Sequence, residues 1–182
     1  MDVSNNLKKI VLIVATISLA GVTFGITMPL STLTLKSWGV SSTMIGLNSA
    51  MPALSAVLLT PFLPKIMNHW GQRNVIRFCL VLVAICCICL PLFPDLFSWF
   101  ILRFLLGAGA TGIWVLSEIW INAYADDDNR GKIIGAYAAV LSFGFIVGVL
   151  MFSVIGIEDN RAFYIAAGFV IIAAIPVWTI SE

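Results

Sequence analysis

The chain has 182 residues, 60% of them hydrophobic and 10% charged, with a mean hydropathy of +1.05. A soluble domain carries about 25% charged residues, so this composition excludes a globule coated by its own charges in water. A formal net charge of +1 without a basic block or acidic tail argues against a nucleic-acid partner, and no P-loop, zinc-binding helix, catalytic triad or dinucleotide fingerprint occurs, so neither an enzyme nor a cofactor or metal site is expected.

A helix needs about 20 apolar residues to cross a hydrocarbon core about 30 Å thick. Six runs meet or approach that length, at residues 10–30, 44–63, 75–93, 96–121, 133–157 and 162–180. They are continuous rather than alternating, which favours helices over a barrel. The expected fold is therefore an all-α membrane protein of six transmembrane helices in one domain. The first run follows Lys8 and Lys9 and ends in Met28-Pro29-Leu30. It is longer than a signal-peptide core and lacks a small-residue cleavage site, so it reads as a retained span. Asn48 in the second run is an uncharged polar residue in a helix interior, able to bond across helices, and a candidate to meet a solute.

The third run holds Arg77 near its start, where a long side chain can snorkel to the headgroups. It also holds Cys79, Cys86, Cys87 and Cys89. Cys86 and Cys89 have a C-x-x-C spacing, but no His, Asp or Glu accompanies them, and buried free cysteine behaves as a small hydrophobe.

The fourth run carries both ionisable residues that lie well inside a span, Arg103 and Glu118. Intramembrane charges are costly and usually face protein or water. The two are about 22 Å apart along a helix axis, too far for an ion pair. Arg103, Gly107, Ala110, Trp114 and Glu118 fall on one stripe, suited to the wall of a polar cavity. The bland alternative has both charges snorkelling to opposite interfaces, with Gly107 as a packing notch. In the fifth run Gly144 and Gly148 have the G-x-x-x-G spacing of close helix packing.

Seven basic residues (Lys8, Lys9, Lys65, Arg73, Arg77, Arg130, Lys132) fall on one side and two (Lys36, Arg161) on the other. Basic loops stay in the cytoplasm, which puts both termini there. Spans one to three and four to six are arranged so that they can form an inverted 3+3 repeat, a common transporter plan.

Arg103-Phe-Leu-Leu-Gly107-Ala-Gly109-Ala110 resembles the R-x-x-q-G-x-g-a-a motif in helix four of the major facilitator superfamily, with Leu106 at the usual Gln position. The stretch from Arg130-Gly131-Lys132 to Gly135 and Tyr137 resembles the family's entry to helix five. Of the G-x-x-x-D-R-x-G-R-R/K loop motif between helices two and three, Gly71 and a basic Arg73 remain, while Asn68 replaces the acid. Drug/proton antiporters and uncharacterised bacterial members look closest, although Val149 stands where many antiporters have Pro.

The resemblance implies half of a major-facilitator fold, the amino-terminal six-helix domain of a secondary transporter in the bacterial inner membrane. Its partners would be the lipid bilayer, a small solute, protons and a second six-helix half. It assigns proton handling to Arg103, and because helices one and four of the family line the central cavity, it makes Phe24 and Thr27 of the first run candidates for the solute path, with Trp114 on the helix-four side. It also assigns a gate latch to Gly71, Arg73, Glu118, Asp126 and Arg130, in which Arg73 would pair with Glu118 or Asp126. A membrane scaffold or assembly subunit without transport of its own is the other reading open at this point.

Overall fold

The computed structural model describes residues 3–124, 129–156 and 160–179, and their regular structure is entirely helical. The helices are α1 (Val3–Ser37), α2 (Ser42–Leu59), α3 (Leu63–Trp70), α4 (Gln72–Leu92), α5 (Leu96–Tyr124), α6 (Arg130–Ile155) and α7 (Arg161–Thr179). A 3-10 turn, Thr60–Phe62, joins α2 to α3. Five stretches are long and apolar enough to cross a membrane: Val11–Ser37, Ser42–Trp70, Gln72–Leu92, Leu96–Ala123 and Arg130–Ile155. α7 is apolar throughout and shorter. Asp126, Glu158 and Asp159 lie outside the described residues.

Helix boundaries differ from the apolar runs in a consistent way. α1 continues past residue 30 because Ser31, Thr32 and Thr34 satisfy their hydroxyls on carbonyls four residues back (Thr27, Met28 and Leu30), so polar side chains do not end the helix. Residues 64–70, which follow the second apolar run and include the expected connection from Asn68, continue as α3, because Pro61 and Pro64 occupy starting positions where no N–H is needed. The break comes at Gly71, whose φ of +77° lies in a region L-residues rarely adopt.

The connection to α5 carries a helix cap. Asp95 Oδ1 accepts the backbone N–H of Ser98 at 2.9 Å. The Ser98 side chain, and then its backbone N–H, hold the Asp95 carboxyl below its ordinary range. A depressed carboxyl stabilises the fold above its unfolded pKa and loses that contribution as pH falls through the folded value. Asp95→Ala should therefore lower thermal stability in detergent at neutral pH, and the difference from the parent should vanish in strong acid. An equal difference at both pH values would remove the cap from the explanation.

α1 packs along α6, α7 and α5, while α4 lies between α5 and α7, and α2 rests on α5. The buried core is built from α1, α4, α5 and α7, including Ile26, Leu80, Cys87, Leu90, Ile113 and Ala166. α2 and α6 are flanks with much apolar surface exposed, as at Val57, Phe143 and Val154. Such a surface suits lipid or another helix, not water.

Glycine sets the closest approaches. A Cβ on Gly25 would strike the carbonyl of Phe145 and lie 2.9 Å from the Cα of Gly148. Gly144 meets the backbone of Ser18, and Gly107 meets Pro52 of α2. The cysteines are reduced; Cys79 packs against Gly112, and Cys86 and Cys87 are fully buried.

Aromatic side chains collect at both ends of the bundle, as they do at membrane interfaces. At one end Trp99 donates Nε1–H to the Leu90 carbonyl at 2.9 Å. Its ring also meets Trp38 and Phe163 edge-on, with centroids 4.8 Å and 5.8 Å away. At the other end Trp120 donates to Gln72 Oε1, and Arg77 lies 5.2 Å from the centre of the Trp178 ring. Arg77 is thus covered by an aromatic face and does not reach outward alone, a cation–π contact worth about 0.5–2 kcal/mol.

Candidate functional site

α1 and α5 form the floor of a cleft and α2 and α6 its two sides. The cleft encloses about 550 Å³. Phe24 and Met28 of α1, Pro52 of α2, and Leu141 and Phe145 of α6 contribute to its apolar lining. α5 contributes Arg103, Gly107, Ala110 and Trp114, four of the five residues on the stripe read from the sequence. Their spacing of three to four residues places them on one helix face. The small residues leave room in front of the helix, and Gly107 also lets α2 come close.

Among the described residues Arg103 is the one charged residue lining the cleft. It is 2% exposed, and its Nε has no hydrogen-bond partner among the described residues. It also borders a second hollow of about 470 Å³, lined by Met28, Pro29, Thr32, Leu33 and Ser49. Arg103 therefore borders both spaces. A guanidinium keeps its charge in proteins, so this site presents a permanent, sparsely compensated cation within apolar walls.

Glu118 lies beyond the cleft lining. Its Oε1 accepts Nε1–H of Trp114 at 2.6 Å, and both side chains are exposed. Arg73, half-buried in the first turn of α4, makes no ion pair with Glu118; the bond that orients this carboxylate comes from its own helix. Arg130 is exposed at the start of α6, and Gly71 sits at the α3–α4 break. Lys65, Arg73, Arg77 and Arg130 share the bundle end at which Trp120 meets Gln72.

Two expected path residues are not on the cleft wall. Thr27 is fully buried and donates its hydroxyl to the Thr23 carbonyl at 2.9 Å. Asn48 is 1% exposed, and neither its carbonyl oxygen nor its amide nitrogen has a partner among the described residues. α2 and α5 both start at the Trp38–Trp99 end. Asn48 and Arg103 each precede the Pro52–Gly107 contact by one turn and so lie at the same level. Gly144 and Gly148 pack against α1.

Sequence reasoning missed the other half of that contact, Gly21 and Gly25, although they repeat the G-x-x-x-G spacing of 144 and 148. It also missed Phe145 and Ser142, which face the cleft from a helix whose apolar character is nearly uniform and gives no face away.

The family model of the Major Facilitator Superfamily matches residues 12–182. Among curated proteins, the chain is similar to an uncharacterized MFS-type transporter, YfkF, of Bacillus subtilis, with 20% identity over 155 residues, 85% of this chain and 40% of that protein. An uncharacterized MFS-type transporter of Enterobacter sp. is 26% identical over 132 residues, 72% of this chain and 35% of that protein. An uncharacterized MFS-type transporter, YcaD, of Escherichia fergusonii is 30% identical over 124 residues, 68% of this chain and 31% of that protein. The chain thus spans less than half the length of the curated relatives it matches.

Proposed function

Because the chain belongs to the major facilitator superfamily, a family of membrane transport proteins, we propose that it forms the amino-terminal six-helix domain of a secondary transporter that moves a small solute by alternating access. The observation that carries this reading is the cleft: an apolar groove on α1 and α5 with one buried cation. Solute would bind there, near the bilayer midplane, against a second six-helix half supplied by a longer chain or by another copy. The gate latch would lie at the opposite end from Trp99, around Gly71, Arg73, Glu118, Asp126 and Arg130.

An inverted 3+3 repeat is supported by the helix contacts. Exchanging α1, α2 and α4 for α5, α6 and α7 turns the α1–α6 contact into α5–α2, and α1–α7 into α5–α4. The α4–α7 and α1–α5 contacts map onto themselves. Glycines at the α1–α6 and α2–α5 contacts repeat the same device.

Both termini are assigned to the cytoplasm of a bacterial inner membrane, on the basic bias of the loops. Single cysteines at Asn6, Trp38 and Asn160, in a background lacking the native four, should report this to an impermeant thiol reagent applied outside. Trp38→Cys and Asn160→Cys should label and Asn6→Cys should not; the reverse pattern would overturn the orientation. The transport reading itself is tested in liposomes. The chain alone should insert and fold, since helices satisfy their own backbone bonds, but should give no uphill flux without a second half. Uphill flux by demonstrated monomers would refute the shared-site mechanism.

A further inference from the structure

We propose that the cleft takes an amphipathic organic anion, whose acidic group pairs with Arg103 while its apolar body lies along Phe24, Leu141 and Phe145. This rests on the reading of the cleft as a solute site and adds the class of solute.

Charge and burial carry the argument. Arg103 is 2% exposed with its Nε unpartnered, and a buried cation without an opposing charge is among the costliest features a fold can hold. Among the described residues no carboxylate lines the cleft. Glu118, on the same helix, is about 22 Å away along the axis and is bonded to Trp114. A neutral or cationic solute would leave the guanidinium as it is. An anion would complete it through a planar, charge-assisted pair.

The rest of the lining defines the body of the solute. Of its hydroxyl groups, Thr111 already donates to the Gly107 carbonyl at 2.8 Å, leaving Ser142 as the other polar side chain on the wall besides Arg103. A highly hydrated anion such as phosphate would lose its water here without replacement bonds. An anion with a large apolar body gains from the same walls. The second hollow also reaches Arg103, so an acidic headgroup can meet the guanidinium from either space.

The test uses two dyes of one ring system, anilinonaphthalene sulfonate and the uncharged phenylnaphthylamine, titrated by fluorescence into the chain in nanodiscs and corrected for empty discs. The readout is the ratio of their affinities, so that changes in available space, which affect both, cancel. The parent should favour the sulfonate, and Arg103→Gln should reduce that preference by at least about tenfold, the scale of a lost hydrogen bond to a charged group. Arg103→Lys should keep part of it.

Ala110→Glu, which retains Arg103 and adds a carboxylate to the same wall, should also abolish the preference, and it serves if Arg103→Gln does not fold. Equal binding of the two dyes to the parent, or a preference unchanged in Ala110→Glu, would overturn the proposal. So would displacement of the sulfonate by millimolar phosphate. Since binding is measured without flux, its failure is distinct from failure of the transport reading.

Discussion

Replacing Arg103 with Ala should abolish solute flux through the assembled transporter while leaving the amount of folded protein in the membrane near that of the parent. A structural arginine holds partners, and its removal orphans them at a cost of about 3–5 kcal/mol when they are buried charges. Here the Nε is unpartnered among the described residues, and no carboxylate faces it within the cleft. Truncation therefore removes an expensive buried cation and leaves a somewhat larger cleft, two effects of opposite sign.

The functional cost is different. The cleft would lose its one charged contact, and with it whatever the charge recognises or couples. Arg103→Lys should restore flux poorly, since an ammonium is a point charge without the planar set of donors. The measurement is uptake or efflux normalised to folded protein. If activity fell only in proportion to folded protein, with Lys well tolerated, Arg103 would be a packing residue.

Gly25→Leu and Gly148→Leu should each prevent stable packing of α1 against α6. A Cβ at either position meets the facing backbone closer than non-bonded atoms sit: Gly25 against Phe145 and Gly148, Gly148 against Val22 and Gly25. Backbone cannot rotate away as a side chain can, so the helices must separate. Overpacking costs about 1–3 kcal/mol and occasionally more, and a clash with backbone belongs at the upper end, a large share of a domain's stability of about 5–15 kcal/mol. Moreover, α1–α6 forms one side of the cleft, so surviving protein should bind solute weakly. Gly168→Leu is the control, because a Cβ there meets nothing within 4 Å. Thermal unfolding and elution profiles in mild detergent should separate the two classes. Wild-type behaviour of Gly148→Leu would mean that the close approach is not needed.

Five of the six expected spans were legible because lipid imposes one simple rule, a long apolar run, and the sixth corresponds to the shorter α7. The α5 stripe was legible because Arg103 and Trp114 stand out against small residues and a helix fixes which positions share a face. What escaped was information held between helices. Gly21 and Gly25 matter through the backbone of α6, and Thr27 was drawn into the path although its hydroxyl is consumed by its own helix. Of the two partners suggested for Arg73, Asp126 lies outside the described residues, and Glu118 takes a bond from Trp114, four residues along the same helix, which spacing alone could have nominated. α3 was hidden because two prolines, usually read as breaks, sit at starting positions of helical turns. α6 gave little because all of its faces are apolar: one packs on α1, one lines the cleft and the rest is exposed.

The face formed by α1 and α5 should line a watery solute path within the membrane and not a lipid-filled groove. Thiol ionisation, and hence reaction with maleimides, requires water. With Cys79, Cys86, Cys87 and Cys89 replaced, a single cysteine at Ala110, on the cleft wall, is compared with one at Ile171, 54% exposed on the outer side of α7. Both are treated with a charged maleimide in native membranes opened to the reagent on both sides. The expected result is steady labelling of Ala110→Cys, slowed by the sulfonate dye, with Ile171→Cys inert. Ala110→Cys as unreactive as Ile171→Cys would contradict a solute path along this face.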